Sequence, residues 1–338
     1  MGKIMTVLGE IKASELGFTD MHEHTLFDGS NYNKAYKNLY PEIDDRFLKV
    51  SSENLYYLKK GYCFLSHESM VLDDVNLAVE EIGYYKASGG SAITDVSPGG
   101  IRGSIEGIRR ISEKTGVHII ASTGFYADGF WPEQCVDMQL DEMKEYMRQE
   151  IYDGIDGTNI RAGQIKIACN KLNEREVTAL KAASQVSKET GLALQVHTGA
   201  YLELDSTQKM IDIAVGEGAD PEKLIMCHMD SYIKEYNLLE LVRNHSMACQ
   251  LTLDPLRRIL DNGVTVGFDC FGCSWDKEVL NGINPTDYDR VSGLYSLICE
   301  GYSSQIVLGS ELFVKFSYRR DGGNGYPRVP DYVVPVLK

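Results

Sequence analysis

His22 and His24 stand one residue apart just after the short apolar run Leu16-Gly17-Phe18. On an extended strand, side chains at i and i+2 leave the same face, so both imidazoles can close on one cation without distorting the backbone. Further residues of metal-ligand type stand at strand-like ends downstream: Lys166, His197, His228 and the carboxylate Glu311. His197 ends the run Leu194-Gln195-Val196 and His228 ends Ile225-Met226-Cys227. A lone histidine in such a run is more often a satisfied core residue, but four of the seven histidines share this placement. Imidazoles and carboxylates converging on a cation, with one position open to water, are what a divalent-metal hydrolase needs. His67, His118 and His245 lack the placement and read as structural or surface residues.

Lys166 is the sharper anomaly. It lies in Gly163-Gln164-Ile165-Lys166-Ile167-Ala168, a strand-like run where a buried ammonium is costly unless paired. One resolution is a salt bridge with Asp95 or Asp269. The other is reaction of the free amine with carbon dioxide, giving a carbamate that converts a cation into a bridging, carboxylate-like ligand. The residues alone leave both open.

The elements that must position these groups alternate along the chain. Strands are expected at 17–24, 91–97, 117–126, 163–169, 192–198, 224–230, 264–272 and 305–312, with helical patterns such as 105–115, 174–190 and 206–217 between them. Gly116, Gly191 and Gly263 sit where glycine stops a helix. Eight nearly uniformly apolar strands alternating with helices suit a parallel sheet buried on both faces. Eight is also the number that closes an α/β (β/α)8 TIM barrel, here expected as a single domain over 1–338. A doubly wound sheet is the runner-up, but no G-x-G-x-x-G follows an early strand. The barrel gains from the polar residues near the strands' C-terminal ends, His24, Asp95, Tyr126, Lys166, His197, His228, Asp269 and Glu311, because barrel active sites form there. A Tyr-rich excursion at about 28–74 is placed to cap the site, and 231–262 is also long for one helix and its loops.

The net charge of -15 argues against a nucleic-acid or anionic-membrane binder, both of which need a basic face. No run approaches the roughly 20 apolar residues of a membrane span, and residues 1–5 show no secretory signal pattern. The expectation is a cytoplasmic enzyme acting on a small molecule. The eight cysteines are scattered, which favours free thiols over a disulfide framework. Cys270 and Cys273 form a C-x-x-C with no second pair at zinc-ribbon spacing, so no structural metal is expected of them.

The series Gly17-Phe18-Thr19-Asp20-Met21-His22-Glu23-His24, Ile165-Lys166-Ile167, Val196-His197-Thr198-Gly199 and Cys227-His228-Met229-Asp230 resembles the phosphotriesterase family of the amidohydrolase superfamily. Residues 264–272 and the segment from Lys315 to Gly322-Gly323-Asn324-Gly325-Tyr326 resemble the same family's last two strands and glycine-rich tail. The resemblance implies two divalent ions, commonly zinc. His22 and His24 with a strand-eight carboxylate would hold the more buried ion, His197 and His228 the more exposed one, and an N-carboxylated Lys166 with a hydroxide would bridge them. One departure is visible: the family's strand-eight aspartate is replaced by Glu311, whose carboxylate lies one methylene farther out.

The first expectation for the reaction is lactone opening by the bridging hydroxide, with Glu311 moving the proton and Asp230 orienting a ligand or substrate. Tyr126, Asp269 and Lys315 are expected to contact the substrate. Basic residues Arg257, Arg258, Lys277, Arg290, Lys315, Arg319 and Arg320 offer a clamp for an anionic lactone. A phosphotriesterase or an N-acyl amide hydrolase would use the same metals. A degenerate barrel with a binding role is the reading of a different class. An exposed apolar lid would suit a homodimer.

Overall fold

The computed structural model describes residues 2–199, 204–234, 237–273 and 284–338. Parallel strands run in sequence order around a (β/α)8 barrel. Strand one is Thr19–Glu23, strand two Ala92–Asp95, strand four Gln164–Cys169, strand five Leu194–Thr198, strand six Leu224–Met226, strand seven Thr265–Phe268 and strand eight Ile306–Leu308. Strand three is split at Ala121 into His118–Ile120, paired with strand two, and Ser122–Phe125, paired with strand four. The ring closes where strand eight meets strand one, through the Glu311 N–H donating to the His22 carbonyl at 3.2 Å. Gly309 permits this approach, since a Cβ there would stand 2.7 Å from that of His22.

The helices lie outside the ring and are delimited as their residues dictate. Ile105–Thr115 starts on the Ser104 side chain and stops at Gly116 in the left-handed region, φ 64°. Glu174–Thr190 starts on Asn173 and stops at Gly191, φ 73°. The helix expected at 206–217 runs Leu204–Gly216. A hairpin the periodicity did not announce, Lys3–Thr6 with Gly9–Lys12, covers the N-terminal end of the barrel. Val7 donates to the Ile119 carbonyl at 2.9 Å, and a Cβ on Gly163 would strike the Met5 carbonyl oxygen at 2.3 Å.

Strands six, seven and eight are shorter than their apolar runs. The chain turns before the functional residues: His228 and Glu311 both take left-handed backbone, φ 61° and 48°. Non-glycine residues held there carry a strain cost that surrounding structure must offset, and such positions cluster at functional sites.

The excursion after strand one is tied at its base by antiparallel Phe27–Asp28 and Val71–Leu72. Between them, helices Ser30–Tyr36, Leu55–Lys59 and His67–Met70 pack aromatic rings over the mouth. Tyr36 stacks on Phe64 with centroids 4.9 Å apart, and Tyr32 packs on Phe130 at 4.6 Å. No helix among the described residues is long and apolar enough to cross a membrane.

Candidate metal centre

At the C-terminal mouth, five strand ends bring their polar residues together. His22 and His24 are 2% and 4% exposed, and their rings lie 6.2 Å apart. Glu311 reaches across to both: its Oε2 is 2.7 Å from His22 Nε2 and 3.6 Å from His24 Nε2, while Oε1 is 3.8 Å from His228 Nε2. His228 Nε2 lies 2.8 Å from His197 Nδ1. Lys166, 1% exposed, sits beneath them with Nζ 3.4 Å from His22 Nε2 and 3.2 Å from the Cys227 sulfur. The sequence-stated set His22, His24, Lys166, His197, His228 and Glu311 is thus one cluster.

The donors fit divalent ions. Glu311 Oε2 is buried between the imidazole nitrogens of His22 and His24, a donor set of the kind that holds a divalent ion. His22, His24 and Glu311 each offer a ligand atom within 4.8 Å of the others, as do His22, His228 and Asp269. Burial, His228 and Lys166 hold the His197 imidazole well below its ordinary pKa, so it stays neutral and able to ligate. Burial alone would push the Glu311 carboxyl up, but His22 and His228 outweigh it and hold the group well below the carboxylate range.

The salt bridge considered for Lys166 is not formed. Asp95 accepts the Thr25 and Ser97 N–H groups at 2.9 Å each, and Asp269 is engaged by histidines. Asp269 is 1% exposed and stands behind the site rather than in its wall. Its Oδ1 lies 2.8 Å from His228 Nδ1 and its Oδ2 3.0 Å from His22 Nδ1. A carboxylate on the far ring nitrogen fixes the tautomer and aim of a ligating imidazole. Burial would raise the Asp269 carboxyl; the two histidines bring it well below its usual range.

Asp230 is likewise fully buried, paired with Arg290 Nε at 2.7 Å and accepting the Cys270 N–H at 3.1 Å. Lys315 stands outside the cavity wall, 3.9 Å from Glu68. Tyr126 does line the cavity, its hydroxyl bonded to that of Tyr32 and its ring 5.2 Å from His197. Of the basic clamp, Arg290 reaches the wall but is already neutralised by Asp230. Arg257 pairs with Glu300, Arg258 with Asp205 and Arg319 with Asp331, all away from the mouth; Lys277 lies outside the described residues.

Three residues the sequence reading passed over support the centre from below. Gln164 donates to the Ser122 hydroxyl at 2.8 Å, and Gln195 donates to Gln164 Oε1 at 2.9 Å and to the Met21 carbonyl at 3.0 Å. Cys227 receives Lys166 Nζ. The signal was period two: Gln164 shares a strand face with Lys166, and Gln195 with His197. The described cysteine side chains, Cys63, Cys135, Cys169, Cys227, Cys270, Cys273 and Cys299, are free thiols.

The cavity above the cluster measures about 420 Å³. Tyr32, Tyr36 and Phe64 of the excursion, with Tyr126, Phe130 and Phe313, form its aromatic side. Histidines and a carboxylate gathered beneath such a cavity at a barrel mouth define a metal-associated hydrolase. The phosphotriesterase family model matches residues 2–338, and the chain belongs to that family. It is 29% identical to the N-acetyltaurine hydrolase of Xenopus tropicalis over 346 residues, covering 99% of this chain and 91% of that one. The Homo sapiens N-acetyltaurine hydrolase is also 29% identical, over 341 residues with the same coverage. Among solved structures, a resiniferatoxin-binding protein from Rhodobacter sphaeroides superposes with a TM-score of 0.84 at 28% identity, over 99% of this chain and 88% of that one. A lactonase from Listeria monocytogenes shares the fold at TM-score 0.76 and 19% identity, over 99% of this chain and 90% of that one.

Proposed function

We propose that this chain hydrolyses small N-acyl amides with two divalent metal ions, commonly zinc in this family, rather than opening lactones. The observation that carries the amide reading is the near full-length similarity to N-acetyltaurine hydrolases. The lactonase likeness is at 19% identity and speaks for the fold alone.

His22, His24 and Glu311 would hold one ion and His197 and His228 the other. Lys166, buried with no carboxylate against it among the described residues, would serve both ions as a carbamate ligand, its amine adding to carbon dioxide and releasing one proton. When bound, such ions polarise a carbonyl and bring the pKa of water to about 7. The chain's own groups do the rest. Asp269 holds the His228 ring in place. A water oxygen adds to the amide carbon while Glu311 takes its proton. Glu311 then returns that proton to nitrogen as the C–N bond breaks, leaving a carboxylic acid and an amine, and the second water proton passes from the acid to the amine. The low-lying Glu311 carboxyl favours the unprotonated form that starts the cycle.

The test is a panel of N-acyl amides, lactones and phosphotriesters against protein purified with zinc and bicarbonate, with metal counted by elemental analysis. Two metals per chain and preferred turnover of N-acyl amides are expected. Turnover of lactones in preference to every amide would overturn the amide reading. Fewer than two metals with no turnover would point to a binding barrel.

A further inference from the structure

Cys270 and Cys273, the C-x-x-C of the sequence, both line the cavity beside the metal-ligand cluster and are half-buried. Cys63, Cys135, Cys169 and Cys227 are buried, and Cys299 stands outside the cavity wall. The four residues from Cys270 to Cys273 form a closed turn. The Cys273 N–H donates to the Cys270 carbonyl at 3.2 Å, and Gly272 at the third position takes the positive φ, 87°, that a type II turn requires there. Such a turn brings its first and last Cα atoms within about 7 Å. A disulfide spans Cα separations of about 4.4 to 6.8 Å, so the two thiols stand where a bridge can close. They already meet: the Cys270 and Cys273 side chains are hydrogen-bonded to each other.

The main chain of the turn is fixed independently of the sulfurs. Asp230 accepts the Cys270 N–H at 3.1 Å, the Gly309 carbonyl accepts the Phe271 N–H at 3.3 Å and Asp287 accepts the Gly272 N–H at 3.0 Å. Asn324 donates to the Gly272 carbonyl at 3.2 Å. Closing a bridge therefore asks for side-chain rotation and no refolding. That rotation reaches the metal-ligand cluster. Cys270 Sγ lies 3.5 Å from His228 Nδ1 and donates to Asp269 Oδ1 at 3.6 Å, the same oxygen that fixes the His228 ring at 2.8 Å. A sulfur drawn toward Cys273 leaves both.

We propose that Cys270 and Cys273 are a dithiol modification site in the cavity wall, which a small disulfide oxidises to an intrachain bridge, loosening His228 and the metal it would hold. One thiolate attacks a sulfur of the oxidant R–S–S–R, forming a mixed disulfide and releasing one thiolate of the oxidant. The second protein thiolate attacks the protein sulfur of that mixed disulfide, forming the Cys270–Cys273 bond and releasing the other. The protein gives up two electrons and two protons, and the oxidant leaves as two thiols. The assignment goes beyond the hydrolase reading, and the bridge itself does not depend on it.

In the test, zinc-loaded protein is incubated with oxidised glutathione, alkylated with iodoacetamide, digested with trypsin and weighed by mass spectrometry. The tryptic peptide 259–277 carries these two cysteines and no other. It is expected unalkylated and lighter by two hydrogen atoms than the dithiol form, and dithiothreitol should restore an alkylatable pair. Competition with a zinc-chelating dye should show zinc held about tenfold more weakly by the oxidised protein, the size of effect that follows when the support behind a ligating histidine changes. Cys299→Ser should respond like the parent, and Cys273→Ser should form no internal bridge. Alkylation of both cysteines after oxidant treatment would overturn the modification site. A bridge that leaves zinc affinity unchanged would overturn its link to the centre. If neither form binds zinc, the metal reading fails separately, and the peptide mass still decides the bridge.

Discussion

In the proposed cycle Glu311 both ligates and carries a proton, and it would do so from left-handed backbone, φ 48°. Glu311→Gln keeps the shape but cannot accept a proton, so kcat should fall by at least about 100-fold in a steady-state assay. Glu311→Asp withdraws the carboxylate by one methylene, and metal stoichiometry and rate measured together will show whether the reach seen here toward His22, His24 and His228 is needed. Behind the site, Arg290 and Asp230 are 1% and 0% exposed. Arg290→Met strands a buried carboxylate, so chemical denaturation should report a loss of about 3 to 5 kcal/mol. The ligand types were legible in the sequence because imidazoles in apolar runs are rare. The roles of Asp230 and Asp269 were not, since a strand-end aspartate looks alike whether it meets substrate, arginine or the back of a histidine.

At the scale of elements, strand and helix periodicity carried most of the barrel, and Gly116 and Gly191 stand directly after their helices, whereas the helix before Gly263 ends at Leu260. What periodicity missed has physical causes. The N-terminal hairpin is too short to establish an alternation, and strands six and eight end early because turns at His228 and Glu311 lie inside apolar runs. Strand three breaks at Ala121, which one continuous apolar segment conceals. Helix Asp287–Cys299 offers a clean test of local chemistry. Thr286 and Asp289 form a reciprocal capping box, and Asp289 also takes the Lys234 ammonium at 2.9 Å. Burial pushes the Asp289 carboxyl up, but Lys234 and the Thr286 N–H and hydroxyl together hold it below its ordinary 3.8. A depressed carboxyl stabilises the fold above its unfolded pKa and loses that contribution as pH falls through the folded one. Asp289→Asn should therefore melt below the parent near neutral pH, with the gap closing as melting curves are taken below about pH 4. Thr286→Ala should cost about 1 kcal/mol through the lost cap.

For the whole molecule, the ring is joined between strands eight and one by the Glu311 to His22 backbone bond, and the same two residues are ligands in the proposed centre. Metal bound to the folded chain alone stabilises it by mass action. Chelation should lower the melting temperature by several degrees, and zinc with bicarbonate should restore it, measured by calorimetry. No change on chelation in a protein shown to contain metal would separate the centre from ring closure.

The hairpin of residues 3–12 seals one end of the barrel, and the Gln164, Gln195 and Ser122 network fills the floor above it. Among the described residues the barrel is closed at that end, and the opposite mouth is framed by aromatic rings from the excursion. On the proposed amide reading, substrate enters and product leaves through that mouth, so an amine still in the chamber would obstruct the next substrate.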